Sequence, residues 1–177
     1  MCPLWNIYLY PKRKLEQSRF IPLDLKLFPF RFVLLLNQDL KVVSLKINLY
    51  LEIHKGTFTY PNHLEDYVKY FIKEIYIFFQ GKSPYLDLPH SLSFSGFSCE
   101  VLKALREIPR GETLSYKTLA ERLGQPRALR AVGQILAKNP LPLIYPCHRV
   151  VSQKGLGGYS QGVLIKRLLL YLERSIF

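Results

Sequence analysis

Residues 83–96, SPYLDLPHSLSFSG, mix proline, serine and glycine with no helical or strand period, and they separate two stretches patterned differently. Upstream, long apolar repeats alternate between a period of two and a period near 3.6. Downstream come short helical segments punctuated by glycine and proline. A chain of 177 residues divided at this point has room for two small domains. The expected boundaries are 1–88 for an α/β unit and 89–177 for a helical unit, with the Ser83–Gly96 stretch as linker.

In the first part, SLKINLYLEI (44–53) sets Leu45, Ile47, Leu49, Leu51 and Ile53 on one side and Ser44, Lys46, Asn48 and Glu52 on the other, the pattern of a half-buried strand. RFVLLL (31–36) is its expected neighbour, joined through a turn at Asn37-Gln38-Asp39. NHLEDYVKYFIKEIYIFFQGK predicts a helix with Asn62 as N-cap and Gly81 as stop. Its apolar positions Leu64, Tyr67, Val68, Phe71, Ile72, Ile75, Phe78 and Phe79 follow three- and four-residue steps and read as core.

Three helices are expected downstream. Phe97–Arg106 turns Val101, Leu102 and Leu105 inward. TLSYKTLAERLG is capped by Ser115 and closed by Gly124. QPRALRAVGQILAKN has Pro126 near its first turn, an inward stripe of Leu129, Val132 and Leu136, and ends at Asn139-Pro140. Helix, short glycine turn, helix is the outline of a helix-turn-helix. The last helix carries Arg127, Arg130, Gln134, Ala137 and Lys138 on its outer side with Gly133 nearby. Small residues among arginines let a backbone approach a phosphate chain while the long side chains reach further; a plain solvated face is the alternative. Charge favours the first. The chain carries a net +12. Residues 1–88 hold 12 basic against 8 acidic groups, whereas 89–177 hold 13 against 5, so the excess lies with these helices.

Three cysteines, Cys2, Cys99 and Cys147, give neither a disulfide framework nor a zinc-ligand spacing, and no metal or cofactor is expected. The start MCPLWNIYLYPKRK has no basic segment leading into an apolar one, so no secretory signal is expected. Apolar runs such as FVLLL are too short to cross a bilayer. A reducing compartment, cytoplasm or nucleus, is the expected location.

Cys147 stands in NPLPLIYPCHRVV. Three readings compete: a buried structural cysteine, a metal ligand, and a nucleophile. Metal ligation is disfavoured because His148 is adjacent and no second cysteine is near. A nucleophile needs a depressed pKa, for which His148 and Arg149 offer charge and base, and the remote Glu173 could orient the imidazole. Neighbouring residues on an extended chain point apart, so a bridging water between Cys147 and His148 is expected rather than direct contact.

In order, FSCEVLKALREIPRGETLSYKTLAERLGQP, RALRAVGQILAKNP, PCHRVV and GGYSQGVLIKRLLLYLE resemble successive segments of the O6-alkylguanine-DNA alkyltransferases, the methylated-DNA–protein-cysteine methyltransferases. The resemblance covers about Phe97 to Glu173. It implies an α+β protein: a ribonuclease-H-like α/β domain, then a winged helix-turn-helix domain bearing the reactive thiol. The implied function is single-turnover, irreversible repair, with the alkyl group of O6-alkylguanine in duplex DNA moving to Cys147. O4-alkylthymine as a further substrate is left open.

The resemblance also implies individual roles. Cys147 accepts the alkyl group, His148 draws off its proton through a water, Glu173 holds the imidazole, and Asn139 ties the turn before Cys147. Tyr116 donates to the purine's N3 side. Tyr159 and Ser160 line the base pocket, the Val150 and Cys147 carbonyls read the exocyclic amine, and Lys166 supports the tyrosine pair. Arg130 fills the stack behind the flipped base, with Ser115, Arg127, Ala131 and Gln134 on the DNA. A monomer is expected, with cooperative binding along DNA left open and no membrane partner. Two departures stand out: Gln161 in place of the usual glycine, which bears on pocket width, and Tyr145 in place of an aliphatic residue, which reads as packing. The rival reading is a non-catalytic relative that binds the lesion and flags it, although such relatives carry another residue at the cysteine position.

Overall fold

The computed structural model describes residues 6–8, 21–27, 30–49, 64–92 and 94–174. Four strands, β1 (Asn6–Tyr8), β2 (Ile21–Leu27), β3 (Phe30–Leu36) and β4 (Val42–Leu49), form an antiparallel sheet in the order β1-β2-β3-β4. The period-two pattern places β3 and β4 as expected: Phe32 faces Ile47 and Leu34 faces Leu45, all four fully buried. The Asn37 side chain closes the turn between them by accepting from Lys41 N (2.8 Å) and Asp39 N (3.1 Å). Strands β1 and β2 carry no sequence expectation. Leu51, Ile53 and the Asn62 cap lie outside the described residues.

Helix α1 (Glu65–Phe79) begins after Leu64 with no side-chain cap and lays Val68, Phe71, Ile75 and Phe78 into the core. Each such side chain contributes about 1.5–3 kcal/mol when fully buried. Phe79 stacks on Phe30 of β3 at 5.7 Å, tying helix to sheet. Gly81, at φ +76, turns the chain out of the helix, a conformation only glycine adopts without strain.

Helices α2 (Gly96–Leu105), α3 (Tyr116–Arg122), α4 (Leu129–Ala137) and α5 (Val163–Leu172) follow, with a short parallel pair of strands, β5 (Leu114–Ser115) and β6 (Val150–Val151). Ser115 caps α3 as predicted, its hydroxyl accepting from Thr118 N at 3.0 Å. Two expectations for α4 are corrected. The helix starts at Leu129, leaving Pro126 in the preceding turn. Leu129 is 42 % exposed, so the inward stripe reduces to Val132 and Leu136.

The supposed linker is also corrected, because its first part is a packed strap. Leu86 and Leu88 are buried, Leu86 N donates to Leu143 O (3.0 Å), and Val42 of β4 exchanges bonds with Pro89 O (2.8 Å) and Ser91 N (3.0 Å). Apolar pairing outweighs the loop-like composition here. Sheet residues such as Phe32 and Ile47 and helical residues such as Val101 and Ile165 consequently share one hydrophobic core. Among the described residues, no helix is long and apolar enough to cross a membrane.

Candidate active site

After α4 the chain enters NPLPLIYPCHRV, and every residue from 141 to 150 is buried. A loop can run through the interior only if its backbone finds partners. Asn139 provides several of them: its Oδ1 accepts from Leu141 N (3.0 Å), and its Nδ2 donates to Tyr145 O (2.8 Å) and to Cys147 Sγ (3.1 Å). Tyr145, the residue expected merely to pack, places its hydroxyl 2.9 Å from His90 Nε2 on the strap. Cys147–Arg149 form a single 3-10 turn, not the extended segment the sequence reading assumes, and β6 begins only at Val150.

This turn sends adjacent side chains into different environments. Cys147 is 4 % exposed and sits at the wall of a cavity of about 280 Å³. Tyr116 from the start of α3, Gly133, Leu136 and Ala137 from α4, and Gly158, Tyr159 and Ser160 from the segment before α5 complete the lining. Tyr116 is close-packed here. Its hydroxyl lies 3.4 Å from Gly158 O, and a side chain at Gly157 (φ +69) would meet the Tyr116 ring and Ser152 N at 3.2 Å. Glycine is therefore required at 157. The Tyr159 hydroxyl is buried with no protein partner.

His148 and Arg149 point instead toward Glu173, the residue that ends α5. His148 Nε2 lies 3.0 Å from Glu173 Oε1, in ion-pair contact though off hydrogen-bond alignment, and Nδ1 is buried without a protein partner. With the carboxylate facing Nε2, the proton belongs on Nε2 and the free lone pair on Nδ1. Arg149 is fully buried and holds both carboxylate oxygens, Nε to Oε2 at 2.9 Å and Nη2 to Oε1 at 2.8 Å. Its remaining donors reach Ile108 O at 2.7 Å and Pro84 O of the strap. Arg149 thus spends its charge on Glu173 rather than on the thiol. The sequence reading missed this, although an arginine inside a run of apolar residues was the available signal.

Burial would raise the Glu173 carboxyl, but the facing His148 and Arg149 prevail and hold it down at about 2. Burial, partly offset by Glu173, lowers His148, so the imidazole rests neutral. The expectation of a depressed thiol is corrected: burial pushes Cys147 up to about 11, against the opposing Asn139 hydrogen bond and Lys166 charge. The resting sulfur is a thiol. Burial, reinforced by the neighbouring Cys147, also raises Tyr116, which keeps its proton at neutral pH.

Lys166 has no exposed surface. Its ammonium bonds Val150 O (2.7 Å), Leu156 O (2.5 Å) and Gly158 O (3.1 Å), and burial lowers its pKa to about 8. It staples the glycine-rich segment to β6. Val150 does not line the cavity, and its carbonyl, expected to read a base, accepts from Lys166. The Cys147 carbonyl accepts from Val150 N. On α4 the outer face carries Arg130, Ala131 and Gln134, all exposed, with Arg127 exposed in the turn before it; Ser115 is half-buried and occupied as a cap. Among the described residues, no three His, Cys, Asp or Glu side chains could hold a metal together.

Residues 96–175 match the family model described as 6-O-methylguanine DNA methyltransferase, DNA binding domain. The methylated-DNA–protein-cysteine methyltransferase of Metallosphaera sedula is 47 % identical over 105 residues, covering 59 % of this chain and 66 % of the relative. That of Saccharolobus solfataricus is 45 % identical over 103 residues, covering 58 % and 67 %. The chain thus spans about two thirds of the length of these relatives. The crystal structure of Mycobacterium tuberculosis OGT in complex with DNA superposes with a TM-score of 0.64 at 32 % identity, covering 82 % of this chain and 88 % of that one. With a solved relative matched over most of its length, the chain belongs to the 6-O-methylguanine DNA methyltransferase family.

Proposed function

We propose that this protein repairs alkylated DNA by moving the alkyl group of O6-alkylguanine onto the sulfur of Cys147, once per molecule. The observation that carries the reading is a cysteine on the wall of a cavity whose other walls come from α3, α4 and a glycine-rich segment, with a histidine–carboxylate pair behind it. The architecture we assign is a ribonuclease-H-like domain at 1–88 and a winged helix-turn-helix domain at 89–177, with α3 and α4 as the helix pair. The protein acts as a monomer in the cytoplasm, or in the nucleus of a eukaryote.

The Cys147 proton must leave as the sulfur attacks, because a thiol with a pKa near 11 is almost wholly protonated at neutral pH. His148 Nδ1 accepts it through one water, and Glu173 stabilises the imidazolium that results. The sulfur–carbon bond forms as the carbon–O6 bond breaks, and the bonding pair stays on guanine. Tyr116 and Tyr159 donate to that developing charge and the Ser160 backbone N–H to O6, a reading supported by their shared lining of the cavity and by the unpartnered Tyr159 hydroxyl. The guanine anion takes up one proton at N1 as His148 gives up the one it received, so neutral guanine is restored and the proton count closes. The product is a thioether, so the protein is spent.

The O6 atom lies inside the duplex, so the nucleotide must swing out at a cost of a few kcal/mol. Arg130 on the exposed face of α4 fills the gap, and Arg127, Ala131 and Gln134 rest on the backbone of a shallow minor groove. The test is to incubate the protein with duplex DNA containing O6-methylguanine. A single methyl mass should appear on the Cys147 peptide and be absent from Cys147→Ala. A peptide unmodified after long exposure would leave only lesion binding.

A further inference from the structure

The outer edge of β4 is bonded to segments that adjoin the cavity. Leu45 and Ile47 point their N–H groups away from β3, and a register shift that skips Val43 brings Val42 into the same phase. Val42 N donates to Pro89 O (2.8 Å) on the strap. Leu45 N donates to Pro140 O (2.7 Å), one residue past Asn139, and Ile47 N donates to Gln161 Oε1 (3.1 Å), one residue past Ser160. A sheet edge that could pair with another chain is thus closed by the strap, by the segment after α4 and by the segment before α5.

Of the three acceptors only Gln161 contributes a side chain. It belongs to the segment 155–162, which contains four glycines and needs external ties to hold one conformation. Lys166 ties the carbonyls of Leu156 and Gly158, leaving Tyr159 and Ser160 anchored from the other end. There the Gln161 amide reaches in both directions, Oε1 to Ile47 N and Nε2 to the Ser160 hydroxyl at 3.4 Å. Ile47 is fully buried, so loss of the acceptor would leave its N–H unsatisfied.

We propose that Gln161 is a positioning residue: its carboxamide clamps the Ser160 wall of the pocket to strand β4, so that the amino-terminal sheet sets where Ser160 stands relative to Cys147. This rests on the transferase reading above. It gives the first domain a part in the reaction, reached through one side chain.

The test compares Gln161→Met, of similar length without an acceptor, with Gln161→Glu, which keeps one. Backbone amide exchange at Ile47 reads the clamp directly, and single-turnover transfer from O6-methylguanine duplex reads its consequence. Q161M should raise Ile47 exchange ~10-fold or more. It should slow the maximal transfer rate roughly 3- to 10-fold, as expected for a small misplacement of a wall group, with half-saturation changed less than about twofold. Q161E should restore both. Unchanged Ile47 exchange in Q161M, unchanged transfer despite faster exchange, or a Q161E protein as slow as Q161M would each overturn the proposal. Should Q161M not fold, Gln161→Asn, one methylene shorter, makes the same comparison. A wild-type protein that transfers nothing would overturn the transferase reading instead, and the exchange measurement would still decide whether the clamp exists.

Discussion

Glu173→Gln removes one negative charge from the centre of the protein without changing volume. The carboxylate holds a fully buried Arg149 at 2.8 and 2.9 Å and a buried His148 at 3.0 Å, with Arg110 at 3.8 Å. Breaking a buried ion pair from one side costs about 3–5 kcal/mol, because the other charge is left uncompensated. Arg149 keeps its carbonyl acceptors at Ile108 and Pro84, so the lower end, about 3 kcal/mol, applies. With a urea slope of about 2 kcal/mol/M for a chain of this size, the midpoint should fall by about 1.5 M. Adding Arg149→Met removes the stranded charge and should recover part of the loss. The sign with pH is equally defined. Glu173 sits below its ordinary value, so its contribution is complete above about pH 4.5 and disappears as pH falls toward 2. The Gln variant should lack that acid limb. A midpoint within 0.5 M of wild type, or a double variant no more stable than the single one, would refute the reasoning.

Other outcomes can be checked with similar ease. Arg130→Ala should slow transfer from duplex DNA by ~10-fold or more, about 1.4 kcal/mol, yet leave reaction with the free O6-methylguanine base within about twofold; equal losses on both substrates would remove it from the stack-filling role. Ser115→Ala deletes the α3 cap and should cost about 1 kcal/mol in chemical denaturation. Peptide-level labelling with iodoacetamide at pH 7 should modify Cys147 at least roughly 10-fold more slowly than an ordinary thiol, because burial raises its pKa to about 11 and the greater nucleophilicity of its thiolate offsets only part of the lost ionisation. Rapid labelling of Cys147 would mean that its resting form is a thiolate.

The parts legible in advance are those that one element decides alone. The alternation in 44–49 locates β4, the three-four spacing in 65–79 locates the buried face of α1, and Ser115 and Gly81 mark helix ends through hydrogen bonding and backbone geometry that need no distant partner. The order of short motifs from Phe97 to Glu173 was enough to suggest the family and to pick out Cys147, Tyr116, Tyr159 and Ser160, which the fold gathers around one cavity.

Other features depend on what a second element brings. Leu129 falls on an apolar stripe yet meets solvent because nothing packs over it, and the Ser83–Gly96 stretch has a linker's composition yet is buried because β4 and Leu143 offer it partners. Lys166, expected only to support the tyrosine pair, is in space a buried staple between β6 and the glycine-rich segment. Arg149, beside the thiol in sequence, gives its charge to a carboxylate 24 positions away. The amino-acid order determined the local elements and the roster of chemical groups. Tertiary packing decided their protonation and their pairing, since desolvation and Coulomb energies depend on every neighbour within a few ångströms rather than on those adjacent in the chain.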